Sequence, residues 1–294
     1  MIVVTTPTGQ IGGQVLDRLV AAAVPVRVVV RDAARLPESV RDRVEVVEGS
    51  HGDLDAATKA FAGAEAVFWL APGNRQAATL TAAYLDFTRP GAEAMRSQGV
   101  SRVVGVSALG RGTPVAGHAG HVTASLAMDD LIAGTGVHYR ALTMPSFMDN
   151  VLRQVELIKS QGVFTDLVAG DHKAPTCATR DIAATAVELL LDDSWSGVGE
   201  VPVLGPEDLS GNDLARIMSD VLGRPVRYQQ VPAAAHKDRM MGFGLSEAVA
   251  QGLVDMGAAK DAGLDNGVAR TAGNSTATSF RQWCEDTLKP AVVG

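Results

Sequence analysis

The chain has 294 residues, a length near which one hydrophobic core stops growing, so one domain with an appended lobe is expected, and two cores at most. Apolar residues make up 46% and charged residues 20%, ordinary globular usage, and no apolar run is long enough to span a bilayer. A net charge of -7 withholds the basic face that phosphate neutralisation requires, which argues against nucleic acid as a partner.

Over the first half, short apolar runs alternate with longer helical stretches. IVVT (2–5), VPVRVVV (24–30), VEVVE (44–48), AVFWL (66–70), RVVGV (102–106) and VHYRAL (137–142) read as strands. Continuous Val, Ile and Leu runs mark strands buried on both faces, and the helices between them enforce crossovers. The pattern therefore predicts an α/β fold, a Rossmann doubly wound parallel sheet. After Pro145 the rhythm weakens to a helix near 147–160, a Gly-punctuated stretch to Thr179 and a helix from Asp181 to Leu191. A strand at 201–204, a helix from Asn212 to Leu222 capped by Gly223, a strand at 225–231 and mostly helix from 233 complete the chain. The expected organisation is a dinucleotide-binding domain over 1–145 and a smaller, mostly helical substrate or partner lobe over 146–294 that shares some elements with the sheet. Within that lobe, HKDRMM (236–241) is a candidate binding surface, though a solvated helix face accounts for it better.

Between the first strand and a helix expected from Gln14 to Ala23 lies Thr6-Pro7-Thr8-Gly9-Gln10-Ile11-Gly12-Gly13. Gly9 and Gly12 hold the last two places of G-x-x-G-x-x-G, and Thr6 holds the first. Small residues are needed there because main-chain N–H groups must approach a pyrophosphate closely, while Gly12 lets the helix pack near the strand. Two glycines also serve a plain tight turn. The setting, after a buried strand and before a long amphipathic helix that leads to another, favours the binding reading.

The second strand ends at Val30-Arg31-Asp32, where NAD-binding units usually place an acid for the ribose hydroxyls. Arg31 stands there instead, and a guanidinium can bond bidentately to a 2′-phosphate. NADP(H) is therefore the expected cofactor and NAD(H) the second choice; the alternative is a surface arginine with Asp32 as the ribose ligand. Cys177 and Cys284 are too few for a disulfide framework or a four-ligand zinc site, and read as small buried hydrophobes. Apart from the spacing of His118 and His121, the six histidines lack companions at ligand spacing, so no metal is expected.

TPTGQIGGQVLDRL, VRVVVRD, the Gly52-Asp53-Leu54 step and GAEAVFWLAP together resemble the NmrA-like atypical short-chain dehydrogenase/reductase family, which includes NAD(P)H-binding type-2 quinone oxidoreductases. GVHYRALTMPSFMDN (136–150), TRDIAATAVELLLD (179–192) and GPEDLSGNDLARIMSDVLGRPVRY (205–228) carry the resemblance over nearly the whole chain. It implies that Thr8, Gly9, Gln10 and Ile11 line the pyrophosphate, Arg31 the 2′-phosphate, and Asp53 and Leu54 the adenine. Ala71 and Pro72 would border the nicotinamide ribose. Ser107 matches the fifth-strand position near the nicotinamide, where its hydroxyl would bond a substrate oxygen or else cap the strand end.

The chain departs from the wider family at the catalytic pair. Short-chain dehydrogenases use Tyr-x-x-x-Lys, in which lysine lowers the tyrosine pKa for proton exchange with a substrate oxygen. Neither Tyr84, Tyr139 nor Tyr228 has lysine four residues on, and Ser125 stands where the resemblance places Lys or His. Two functions follow. One is an NADP(H)-dependent oxidoreductase that passes hydride to a small apolar acceptor, such as a quinone or conjugated carbonyl, with a proton from solvent, His118 or His121. The other is a non-catalytic NADP(H)-sensing regulator that binds a protein partner. Met144, Phe147, Met148, Phe164, Met240, Met241 and Phe243 suit an adaptable apolar pocket or, equally, a core. With no basic segment before the apolar start, a cytoplasmic location is expected. A homodimer is left open.

Overall fold

The computed structural model describes every residue, Met1–Gly294. In chain order the first half forms β1 (Ile2–Thr5), α1 (Gln10–Ala21), β2 (Val26–Val30), α2 (Glu38–Arg41), β3 (Glu45–Glu48), α3 (Leu54–Phe61), β4 (Ala66–Trp69), α4 (Phe87–Ser97), β5 (Arg102–Ala108), α5 (His121–Ala133) and β6 (His138–Met144). There follow β7 (Ser146–Phe147), α6 (Val155–Gln161), β8 (Val163–Asp166), β9 (Ala174–Cys177), α7 (Thr179–Leu191) and β10 (Val198–Pro202). The chain closes with β11 (Asp208–Leu209), α8 (Gly211–Leu222), β12 (Arg227–Gln230), α9 (Ala233–Gly242), α10 (Glu247–Asp261), α11 (Phe280–Trp283) and α12 (Lys289–Val293). None of these helices is long and apolar enough to cross a membrane.

Seven strands form one sheet in the order β10-β6-β5-β4-β1-β2-β3. The neighbours from β3 through β1 to β5 pair in parallel. This is the doubly wound Rossmann order, and the chain reverses its direction of travel across the sheet between β1 and β4. β1 and β4 are buried along their whole length, as their unbroken apolar runs require. The edges differ: β3 exposes Glu45 and Glu48, charges that discourage pairing with a further strand.

The residues separate into two compact units that interleave in sequence. Unit 1 comprises Met1–Ser107, Ala124–Thr143 and Ile182–Val201, and unit 2 comprises Ala108–Thr123, Met144–Asp181 and Pro202–Gly294. Unit 1 holds the seven-stranded sheet, with Val3, Val29, Trp69, Met95, Val103 and Met128 in its core. Unit 2 has its own core around Met148, Phe164, Ile217, Phe280 and Trp283, and two small sheets, β11-β9-β7 and β12-β8.

The expected division at residue 145 is thus crossed twice. The segment after β5 belongs with unit 2, whereas α7 and β10 return to unit 1. The strand read at 201–204 begins earlier, at Val198, and completes the main sheet beside β6. As an edge strand it is only partly buried and carries Glu200, so its pattern does not resemble that of a sheet interior. The helix near 147–160 begins as a 3₁₀ segment, Met148–Gln154, before α6 takes over and ends at Gly162, whose φ of 62° needs glycine. The Gly-punctuated stretch to Thr179 contains β8 and β9, too short to show a period. By contrast, α8 has a capping box between Ser210 and Asp213 and stops at Gly223, close to expectation. The Met and Phe set divides: Met144, Met148 and Phe164 are core, whereas Met241 and Phe243 are 42% and 64% exposed on and just after α9.

Candidate cofactor site

The residues expected to hold a dinucleotide lie at or beyond the carboxyl ends of adjacent parallel strands, all in unit 1. Thr6 follows β1, Arg31 follows β2, Asp53 follows β3, Ala71 and Pro72 follow β4, and Ser107 is the next-to-last residue of β5. That edge, at the point where the chain reverses direction, is where open α/β sheets bind ligands.

The loop after β1 folds tightly. Thr6 adopts φ 51°, a left-handed conformation that strains a β-branched residue, and this explains why the motif ordinarily has glycine there. Gly9 N–H donates to the Thr6 carbonyl at 2.9 Å, and Gly9 then caps α1 with no side chain to offer. The helix begins at Gln10, one turn before the expected Gln14. Gln10, Ile11 and Gly12 therefore form the first turn, and the N–H groups of Ile11 and Gly12 lie where a helix supplies no intrahelical partner. A Cβ on Gly12 would stand 2.2 Å from the Thr6 carbonyl oxygen, so only glycine allows α1 to approach β1 this closely. Thr6 Oγ1 is buried without a hydrogen-bond partner, and Thr8, Gly9 and Gln10 are exposed beside it. An uncapped helix start, a glycine cradle and an orphaned hydroxyl fit a pyrophosphate.

At the end of β2, Arg31 is exposed. Asp32, the alternative ribose ligand, instead caps the next turn, its Oδ1 accepting Ala34 N–H at 2.9 Å. Both residues are exposed, but one Asp32 carboxylate oxygen is taken up by that cap. Asp53 is likewise a cap, accepting Ala56 N–H at 3.0 Å, while Leu54 exposes apolar surface suited to a base.

Two side chains not anticipated from sequence hold the segment that leads to Ala71 and Pro72. Thr5 Oγ donates to the Phe68 carbonyl at 2.9 Å and accepts Leu70 N–H at 3.0 Å. His51, 5% exposed, donates from Nε2 to the Leu70 carbonyl at 3.0 Å. Its ring lies edge-on to Trp69 and Phe87, with centroids 5.0 and 4.9 Å away. Burial pushes the His51 pKa down to about 4, against a raising effect of the Leu70 bond, and the Arg31 charge lowers it further. Both polar groups of Leu70 are thus fixed, by Thr5 from β1 and by His51 from the turn after β3. The sequence signals were slight, a threonine ending a strand and a histidine between Ser50 and Gly52.

Ser107 is buried, and its hydroxyl donates to Asp129 of α5, whose other oxygen accepts the Tyr139 hydroxyl at 2.6 Å. Its single proton is thus engaged by Asp129, the same proton that the polarising role expected of Ser107 would call on. His118 and His121 belong to unit 2. His118 is exposed. His121 Nε2 bonds the Val249 carbonyl at 3.0 Å, and burial lowers its pKa, so the ring is neutral near pH 7 and its proton is engaged.

The NAD(P)H-binding family model matches residues 7–193, and the NmrA-like family model matches residues 131–281. The chain belongs to the NAD(P)H-binding, NmrA-like family. Members of known activity align with this NmrA-like chain over nearly its whole length. The (4-alkanoyl-5-oxo-2,5-dihydrofuran-3-yl)methyl phosphate reductase of Streptomyces griseus is 30% identical over 292 residues, covering 96% of each chain. The NAD(P)H azoreductase of Xenophilus azovorans is 27% identical over 285 residues, covering 97% of this chain and 96% of its own. In fold, the NmrA-like chain matches the Citrobacter sp. triphenylmethane reductase complexed with NADP(H), with a TM-score of 0.78, 20% identity and 99% of each chain covered.

Proposed function

We propose that the protein is an NADPH-dependent reductase of small, apolar, conjugated acceptors such as quinones and conjugated carbonyls. The observation that carries this reading is the exposed Arg31 at the edge that also holds the uncapped start of α1, a pairing suited to a nucleotide with both a pyrophosphate and a 2′-phosphate. Support comes also from the two full-length relatives, both named reductases, one of azo compounds and one of an acylated oxo-dihydrofuran.

When bound, the cofactor supplies hydride. The chain's part is to place it: Ile11 and Gly12 N–H meet the pyrophosphate, Arg31 the 2′-phosphate, and Leu54 the adenine. Thr5 and His51 hold Leu70, and so set Ala71 and Pro72 against the ribose. A conjugated acceptor suits a site without the Tyr-Lys pair, because hydride addition to it leaves a delocalised anion that can take its proton from water.

Steady-state NADPH oxidation with a naphthoquinone, an enone and an azo dye tests the reading. Turnover with at least one, at about 1 s⁻¹ or faster, is the expected outcome. Tight NADPH binding with no turnover on any of the three would instead favour a cofactor-sensing role.

A further inference from the structure

Beneath the carboxyl end of β5, three elements of unit 1 bring four polar side chains together. Asp129, 3% exposed, receives one hydroxyl proton on each carboxylate oxygen, from Tyr139 of β6 and from Ser107 of β5. Ser125, one turn before Asp129 on α5, places its Oγ 3.4 Å from that of Ser107. Gly105 makes the arrangement possible. A Cβ there would lie 2.2 Å from the Tyr139 hydroxyl and 2.7 Å from its ring, so glycine lets the phenol lie across β5 and reach Asp129.

Such a cluster is unneeded for packing. Val103, Met128 and Ile132 belong to the same core, and a leucine at 129 with a phenylalanine at 139 would fill it without desolvating a carboxylate. What the cluster does is fix the sense of the Ser107 hydroxyl. A serine has one proton and two lone pairs. The proton goes to Asp129 and Ser125 can occupy one lone pair, which leaves the other for a ligand. Ser107 therefore accepts an N–H or O–H. The acceptors proposed above, oxidised and conjugated, bring lone pairs of their own, whereas the carboxamide of a nicotinamide offers an N–H.

We propose that Asp129 is a positioning residue, which makes Ser107 a hydrogen-bond acceptor for the carboxamide N–H and so orients the nicotinamide ring. The inference rests on the NADPH reading but not on the identity of the acceptor. It is tested by binding alone, with NADPH and the reduced 3-acetylpyridine analogue of NADP, in which an acetyl group keeps the carbonyl but has no N–H.

Ser107→Ala should weaken NADPH by roughly threefold to tenfold and leave the analogue unchanged. The paired change Asp129→Leu with Tyr139→Phe, which leaves no unpaired phenol, should do the same. Asp129→Asn keeps an acceptor oxygen for Ser107 and should retain most of the preference for NADPH. Equal losses for both ligands would mean a merely structural role and overturn the proposal, as would no loss with Ser107→Ala. That single variant leaves the core intact, so it decides the matter even if the paired change does not fold. A native chain with the expected pattern but no turnover would contradict the reductase reading and leave this inference standing. A native chain without NADPH affinity would sink both.

Discussion

Gly12→Ala should weaken NADPH binding by about a hundredfold or more, whereas Gly13→Ala should change it by less than about tenfold. The contrast follows from what each new methyl meets. At Gly12 a Cβ falls 2.2 Å from the Thr6 carbonyl oxygen, 2.9 Å from its carbon and 3.0 Å from the Thr5 carbonyl oxygen, all main-chain atoms. At Gly13 the nearest atom is the Pro7 carbonyl oxygen at 3.3 Å, a contact relieved by a small shift. Nor can the strand side yield at Gly12: Thr6 is already held at φ 51°, and Thr5 is bonded to both Phe68 and Leu70. The start of α1 must therefore move outward, taking its N–H groups from the phosphates. Overpacking of this kind costs about 1–3 kcal/mol, and each hydrogen bond to a charged group that is lost costs about 1.5–3 kcal/mol more in binding. Calorimetric titration with a thermal melt checks both effects; equal behaviour of the two variants would contradict the account of the loop.

His51→Gln should flatten the acid limb of stability. The folded-state pKa of His51 is about 4 against 6.5 for the free side chain, chiefly through burial. Between these values the unfolded chain binds the proton and the folded chain does not, so stability falls as pH falls. The contribution of the neutral ring is complete above about pH 6.5 and is lost towards pH 4, in total on the order of 3 kcal/mol. Gln can still donate to the Leu70 carbonyl but has no proton to gain. Its baseline stability should be lower, because the edge contacts to Trp69 and Phe87 are lost. Between about pH 7.5 and about pH 5, however, the native chain should lose about 2 kcal/mol more than the variant in denaturant unfolding. His121 and His236, also lowered by burial, remain in both proteins and cancel in the comparison. Parallel pH profiles would show that His51 does not carry the effect.

The loop after β1 and the strand ends around it were legible because they depend on main chain and burial. Gly9 and Gly12 announce the tight turn before α1, and Arg31 falls just after β2 as its place in VRVVVRD implies. The strands of the sheet interior were legible for a similar reason: burial on both faces leaves no polar interruptions in IVVT or AVFWL. Legibility failed where a residue's meaning depends on a distant partner. Asp129 and Asp130 are adjacent and chemically identical, yet one is buried against Ser107 and Tyr139 and the other is exposed. Only helical phase separates them, since Ser125, Asp129 and Ile132 share the inward face. His51 acquires its role from Leu70, nineteen positions on. That the second half shares elements with the sheet was expected, but which strand does so was not, because β10, at a sheet edge, lacks the continuous apolar run that marks the central strands.

Arg31→Asp puts the central claim to its most direct test. The claim is that the guanidinium after β2 and the amides at the start of α1 together gather the phosphates of NADPH. Dissociation constants for NADPH and NADH, measured on the native chain and the variant, should show native preference for NADPH and a loss of about tenfold to a hundredfold or more for NADPH alone in the variant. An unchanged ratio of the two constants would contradict it.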